Sequence, residues 1–211
     1  ALATLGAPLP ETEEACEAAT SAEIEALRSR LRGRTLEGLL EAPRMSDPRA
    51  SAILRFLLLL DVVSFPTGQP KLSALTSVRQ AALSEGGGPS ELSAVGYASC
   101  AQMLLRMSGR SEEADLMSRL SVALDERYPC PELRARLSLT QAHSVSLLRP
   151  ANEAIAAYER GLATLPADGP ETTMHAVLLA DLGSTMRVLG RLDEARVRHE
   201  QAVAITERVR G

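Results

Sequence analysis

Apolar residues recur every three or four positions along most of this chain, and short clusters of Gly, Pro and capping residues interrupt them, which is the pattern of consecutive amphipathic helices. Thr12 with acidic residues behind it opens the first stripe (Ile24, Leu27, Leu31), and Gly33 closes it. A short helix over 35–41 carries Leu36, Leu39 and Leu40 and stops at Pro43. Ser46-Asp47-Pro48 reads as an N-cap followed by Pro in the first turn, opening a helix that runs through the apolar block 53–60 to Ser64. Pro66, Gly68 and Pro70 form the next break, residues 72–84 are helical, and Gly86-Gly87-Gly88-Pro89 reads as a flexible link. Six helices follow, near 90–107, 111–127, 131–147, 151–165, 171–188 and 192–209. Gly109, Pro129 with Pro131, Arg149-Pro150, the stretch 166–170 and Gly190 separate them. Breaks this short make consecutive helices antiparallel neighbours. The small, Pro-punctuated first ten residues read as a connector or a frayed end.

Within the second half one pattern returns three times. Gly109-Arg110-Ser111-Glu112-Glu113-Ala114, Arg149-Pro150-Ala151-Asn152-Glu153-Ala154 and Gly190-Arg191-Leu192-Asp193-Glu194-Ala195 each set a breaker five residues before a Glu-Ala pair, and the alanines stand 40 and 41 positions apart. Seven residues after each alanine comes another small residue: Ser121, Gly161 and Ala202. Positions i and i+7 share a helix face, so these side chains permit close approach of two backbones. A fixed period in this range marks stacked helical hairpins, each burying its apolar face on the next.

Composition narrows the class. With 45 % hydrophobic but only 2 % aromatic residues and no Trp, the interior must be built from Ala, Leu and Val, and the long alternating β-branched runs that a sheet needs are missing. The class is all-α. A net charge of −4 with interspersed signs gives no basic face for nucleic acid. Lys71 is the sole lysine, a bias toward Arg that points to a GC-rich genome. Cys16, Cys100 and Cys130 are odd in number and widely spaced, which fits a reducing cytoplasm rather than a disulfide framework. The apolar run 53–60 is too short for a bilayer that requires about 20 residues. No signal peptide is visible, and the missing initiator Met suggests a piece of a longer polypeptide.

The last unit resembles a tetratricopeptide repeat. Leu182-Gly183, Gly190, Ala195 and Ala202 sit at that family's spacing, and Pro166 falls where a unit ends after Ala154, Tyr158 and Gly161. Leu179 stands where the family prefers Trp, His199 replaces the usual aromatic, and the spacing of 40 or 41 exceeds the usual period of about 34. A second resemblance lies upstream. Residues 33–48, GRTLEGLLEAPRMSDP, are similar to the G-R-[ST]-I-E-D-L…P-x-M-T-D-P segment of large bacterial predicted ATPases. There the segment follows an AAA-type (STAND-like) nucleotide-binding module and opens a tetratricopeptide-like region, often fused to kinase, GAF or cyclase domains. The resemblance implies a helical sensor or scaffold arm. The ATPase itself is not in this chain, because there is no G-x-x-x-x-G-K-[ST] and Lys71 has no glycine-rich lead-in.

Candidate chemistry is sparse. His143, His175 and His199 lack Cys or carboxylate companions at metal spacing, and no G-x-S-x-G elbow exists. Glu13-Glu14 and Glu112-Glu113 fall in first turns, where they complement the helix dipole. Cys100 reads as a core residue. In tetratricopeptide-like stacks the first helix of each hairpin lines a concave wall. Counting back eight from the alanines gives Arg106, Ser146 and Arg187, with Met103, His143 and Ser184 one turn away. Regularly placed guanidinium groups there suit acidic peptide segments, with ordinary solvated arginines as the alternative. The Lys/Asn carboxylate clamp of chaperone-binding tetratricopeptide domains is absent.

The expectation is therefore a right-handed α-solenoid of antiparallel helical hairpins, about nine or ten helices by the breaks, with lead-in helices over 1–46 and repeats over 47–211. Its positions Ala114, Ser121, Ala154, Gly161, Gly183, Ala195 and Ala202 should lie at helix crossings. The expected role is a non-catalytic, cytoplasmic scaffold, without cofactor or metal, that contacts a protein, a peptide or neighbouring domains. A homodimer through exposed repeat ends is a further expectation. A superhelix enclosing a metabolite is the alternative, and a deep enclosed pocket in place of an open groove would mark it.

Overall fold

Thr12 starts the first helix as the pattern requires. Its Oγ1 accepts the N–H of Ala15 at 3.2 Å, Glu13 and Glu14 sit at the positive end of the helix dipole, and Ile24, Leu27 and Leu31 are buried along one face. The computed structural model describes residues 2–64, 67–108, 112–148, 150–165 and 173–210. Among these it is all-helical: α1 (Glu13–Leu31), α2 (Leu36–Leu40), α3 (Pro48–Ser64), α4 (Pro70–Gly87), α5 (Ser93–Ser108), α6 (Glu112–Arg127), α7 (Arg134–Leu148), α8 (Ala151–Ala163), α9 (Thr173–Val188) and α10 (Leu192–Arg210). A 3₁₀ turn over Pro131–Leu133 leads into α7. Among the described residues no helix is long and apolar enough to cross a membrane. The predicted breaks at Pro66, Gly109, Arg149 and 166–170 lie outside the described residues.

The chain divides into two compact units, Ala1–Cys130 and Pro131–Gly211. Residues 2–46 belong to the first. In that unit α4 packs on α1, α3 and α5, α5 packs on α6, and α2 lies against α6. The first ten residues are not a frayed end. Leu2 is buried, Leu5 O accepts Arg49 Nε–H at 2.8 Å, and Pro8 O accepts Arg79 Nη1–H at 2.8 Å.

The segment 33–48 has a structural job. Thr35 Oγ1 accepts the N–H of Gly38, capping α2. Asp47 Oδ1 accepts the N–H of Arg49 at 2.8 Å, capping α3 ahead of Pro48. Met45 is buried, and its N–H donates to Pro89 O at 3.0 Å. That last bond corrects the reading of 86–89 as a flexible link. Gly86 and Gly87 finish α4, and Gly88, at φ +89°, turns so close to Pro43 that a Cβ would overlap its carbonyl oxygen. Likewise Pro70 begins α4 rather than breaking the chain, because the first helical position has no use for an N–H.

The centre of the first unit is unexpectedly polar. Ser73, Ser77, Gln80 and Ser84 fall at i, i+4, i+7 and i+11 of α4, one face of the helix. The buried carboxylate of Asp61 on α3 accepts Ser73 Oγ–H at 2.9 Å and Ser77 Oγ–H at 3.4 Å on one oxygen, and Ser99 Oγ–H from α5 at 3.2 Å on the other.

In the second unit α7 pairs with α8, α8 with α9 and α9 with α10. Ala142, Ala154, Ile155, Tyr158, Leu178, Leu182, Met186 and Ala195 form one core cluster, and Ala176, Leu179, Ala202 and Ile205 form another.

Candidate functional site

A groove of about 540 Å³ lies on α9 and α10, lined by Arg187, Leu192, Ala195, Arg196, His199, Glu200, Val203, Ala204 and Glu207. Its local construction follows from the Gly190 turn. Gly190, at φ +76°, donates its N–H to Arg187 O at 3.0 Å, and Arg191 donates to Met186 O at 3.0 Å, the paired bonds that end a helix on a left-handed residue. Two residues later α10 begins. Arg191 makes a two-pronged contact to Glu194, Nε–Oε1 at 2.7 Å and Nη2–Oε2 at 2.5 Å. Its side chain holds the Glu194 carboxyl below the usual carboxylate range, first by hydrogen bonding and then by charge. The turn therefore sets Arg187 beside the first turns of α10.

His199 seals the inner side of the groove. Ala180 O can only accept, so His199 Nε2–H donates to it at 3.1 Å, with Ser184 Oγ 3.4 Å from the same nitrogen. A Cβ on Gly183 would lie 2.8 Å from the His199 ring, so glycine at 183 gives the imidazole its seat. The outer side is apolar and open: Leu192 is 64 % exposed and Val203 57 %. Along the rim Arg196 pairs with Glu200 at 2.9 Å.

The residues assigned to a concave wall are distributed differently. Met103 is buried on α5 and Arg106 is exposed on the same helix, both in the first unit. His143 on α7 donates Nε2–H to Asp181 Oδ2 of α9 at 2.8 Å, and its ring stands edge-on to Tyr158 at 6.0 Å between centroids. Ser146 is exposed, its Oγ donating to His143 O at 2.7 Å. Ser184 serves His199. Of the six, Arg187 alone lines the groove. The seven small residues Ala114, Ser121, Ala154, Gly161, Gly183, Ala195 and Ala202 are all buried.

Two contacts recur at an offset of 41. Tyr158 meets His143 on the preceding helix, and His199 meets Ser184. A Cβ on Gly161 would lie 2.7 Å from Ser138 Cβ, and Ala202 shares a cluster with Leu179.

Two polar centres in the first unit escape sequence reasoning. Asp61 was legible only as the end of an apolar run. Glu85, its side chain 6 % exposed, accepts from Arg30 at 2.8 Å and Arg34 at 3.4 Å, partners more than fifty residues upstream. Asp61 is ringed by hydroxyls, and the Glu85 carboxylate is held between two guanidinium groups. Among the described residues no group of three or more His, Cys, Asp or Glu is arranged to hold a metal ion. The Cys100 thiol, fully buried, is pushed up to about 12 by desolvation, which keeps it protonated and unreactive.

The chain matches no protein-family model, no curated protein and no solved structure.

Proposed function

We propose that the chain is a non-catalytic helical-repeat scaffold, a tetratricopeptide-like solenoid that mediates protein–protein contact or intramolecular regulation within a bacterial, cytoplasmic signal-transduction ATPase. The observation that carries the reading is the 41-residue recurrence of the Tyr158–His143 contact in His199–Ser184, which makes α7–α8 and α9–α10 two editions of one hairpin. The α9–α10 groove offers an open, partly apolar face for a protein contact. The place within a signalling ATPase rests on the sequence resemblance of segment 33–48 alone. The capping threonine, buried methionine and Asp-Pro helix start of that segment form the corner between α2 and α3, tied to Pro89 just beyond α4.

An open groove with exposed Leu192 and Val203 suits a helix or peptide better than a metabolite, which calls for enclosure on most sides. The test uses the intact chain. Affinity capture with wild-type and Val203→Asp baits runs beside a thermal-shift screen against metabolites and nucleotides. Capture of a protein partner that Val203→Asp abolishes, with no small-molecule shift, supports the scaffold. A metabolite that raises the melting temperature by several degrees, with identical capture by both baits, sinks it.

A further inference from the structure

We infer that Arg44, Arg55, Arg127 and the hydroxyl of Tyr128 form a binding site for a phosphate monoester carried on a partner protein. The site lies within the first unit, so it stands or falls independently of the α9–α10 groove.

Separate segments build it. Arg44 belongs to the corner between α2 and α3, Arg55 to the exposed face of α3, and Glu91 to the turn before α5; Arg127 ends α6, with Tyr128 next. Arg44 Nη2–H donates to Glu91 Oε2 at 3.0 Å, and Arg55 Nη2–H reaches the other oxygen of the same carboxylate at 3.5 Å. The guanidinium carbons of Arg44 and Arg127 stand over the Tyr128 ring, 5.4 and 5.5 Å from its centroid, so one electron-rich ring holds two cations close together. Arg127 Nη1–H donates to Leu40 O at 2.6 Å, which fixes that group as well. A guanidinium carries five N–H donors, and these contacts occupy few of them. The rest are within reach of a ligand, because the three arginine side chains are exposed.

Charge selects the ligand. Among the described residues Glu91 is the single carboxylate within ion-pair distance of these arginines, and it answers Arg44 and Arg55 together while Arg127 has none. Three guanidinium groups against one carboxylate leave two positive charges unmatched. A phosphate monoester, at about −1.5 to −2 near neutral pH, meets that excess, whereas a lone carboxylate meets half of it. The flat fork of arginine also fits phosphate oxygens. The half-buried Tyr128 makes no side-chain hydrogen bond among the described residues, so its O–H is a further donor to the anion.

The adjoining surface favours a protein as the carrier. Leu59 lies one turn beyond Arg55 on the same face of α3 and is 63 % exposed, with Phe56 beside it. An apolar residue next to the phosphorylated one gains contact there, and free phosphate gains nothing.

The experiment is isothermal titration calorimetry on the full chain in phosphate-free, low-salt buffer, with circular dichroism as the folding control. Its probes are a short peptide with leucine on either side of phosphoserine, the unphosphorylated twin, and inorganic phosphate. The phosphopeptide is expected to bind with a dissociation constant of about 0.1–1 mM, inorganic phosphate about tenfold more weakly, and the twin not at all. Tyr128→Phe keeps the ring beneath both guanidinium groups and removes only the O–H, so the fold holds while affinity falls severalfold. Arg127→Gln is expected to weaken binding about tenfold. Glu91→Gln removes the competing carboxylate and is expected to tighten binding about threefold or more, a gain that an ion pair with a purely structural role would not give. Inorganic phosphate binding as tightly as the phosphopeptide would overturn the protein-borne ligand. The whole site is overturned by equal binding of the unphosphorylated twin, by no heat from any probe up to about 10 mM, or by a phosphopeptide affinity unchanged in both Tyr128→Phe and Arg127→Gln.

Discussion

Replacing Gly161 by Ala tests the close approach on which the second unit depends. A solvent-facing helical glycine gains about 1 kcal/mol on mutation to Ala, because Ala restricts the unfolded chain and favours the helix. Gly161 is not solvent-facing. The new methyl would stand 2.7 Å from Ser138 Cβ and 3.3 Å from Leu178 Cδ2, whereas two carbons need about 3.5–4.0 Å. Ser138 Cβ is fixed to the α7 backbone, so no rotamer relieves the clash, and α7 and α8 must separate by roughly 1 Å. Overpacking of this kind costs about 1–3 kcal/mol. With two neighbours crowded at once the upper end applies, and subtracting the propensity gain leaves a net loss of about 2 kcal/mol.

With no Trp in the chain, urea unfolding of the intact protein is best followed by circular dichroism. If the two units unfold in separate transitions, the one belonging to Pro131–Gly211 moves and the other stays. The companion is Ser138→Gly, which costs about 1 kcal/mol of helix propensity but removes the opposing carbon. In the double variant the methyl has merely changed helices, so a favourable coupling energy of about 1 kcal/mol or more is expected. Stabilisation by Gly161→Ala, with an additive double variant, would refute the argument and with it the close α7–α8 crossing.

Four further outcomes follow from the first unit. Gly88→Ala, which forces a side chain into the left-handed region and onto Pro43 O, is expected to lose about 3 kcal/mol in the same assay, and a loss below half that would contradict the packed corner. Alkylation of the native protein, read by peptide mass spectrometry, is expected to label the half-buried Cys130 first, with Cys100 labelled only after denaturation. The Glu91 carboxyl lies below its ordinary value, held there by its backbone N–H bond and then by Arg44 and Arg55. It therefore stabilises the fold above the unfolded value of about 4.3, an advantage lost as pH falls through the folded value, so Glu91→Gln should lower stability modestly at neutral pH, change it little well below the folded value, and so flatten the acid limb of stability against pH. Asp61→Leu strips Ser73 and Ser99 of a buried acceptor, costing about 1–3 kcal/mol before the removed carboxylate's desolvation is credited; helix content should hold while the urea transition broadens, and a transition as sharp as wild type would count against Asp61 as a register pin.

Much of the helix plan was legible because it is written in local chemistry: Thr12, Thr35 and Asp47 cap, Pro48 starts, Gly190 stops. The errors came where a distant segment decides. Gly86 and Gly87 are weak helix formers, yet α4 runs through them, and Gly88 packs on Pro43, forty-five residues upstream. The site divided the same way. The alanines of the period are buried, and Arg187, eight residues before Ala195, borders the α9–α10 groove. The opposite face of α10 has no periodic mark, since its exposure depends on which element comes next. His143 looked like a groove residue on its own helix, whereas its acceptor, Asp181, is 38 positions away.

The polar centre of the first unit and the small residues of the second answer one physical problem. A helix surface of Ala, Ser and Gly is nearly smooth, and a neighbour can shift by a turn with little change in contact. With almost no aromatic residues to act as unique knobs, this chain has to fix register by other means. In the second unit the fit is steric: Gly161 takes Ser138 and Leu178 against its bare Cα, and Gly183 takes the His199 ring and the Ala195 carbonyl. In the first unit it is a hydrogen-bond address. One carboxylate on α3 takes hydroxyls from positions 73 and 77 of α4 and 99 of α5; a shift of α4 by four residues would keep only one of its two serines there, and the same shift of α5 would put Val95 or Met103 in place of Ser99. A buried carboxylate of this kind separates one packing from its near-degenerate neighbours, because each alternative satisfies fewer of its acceptor sites and so offsets less of its desolvation.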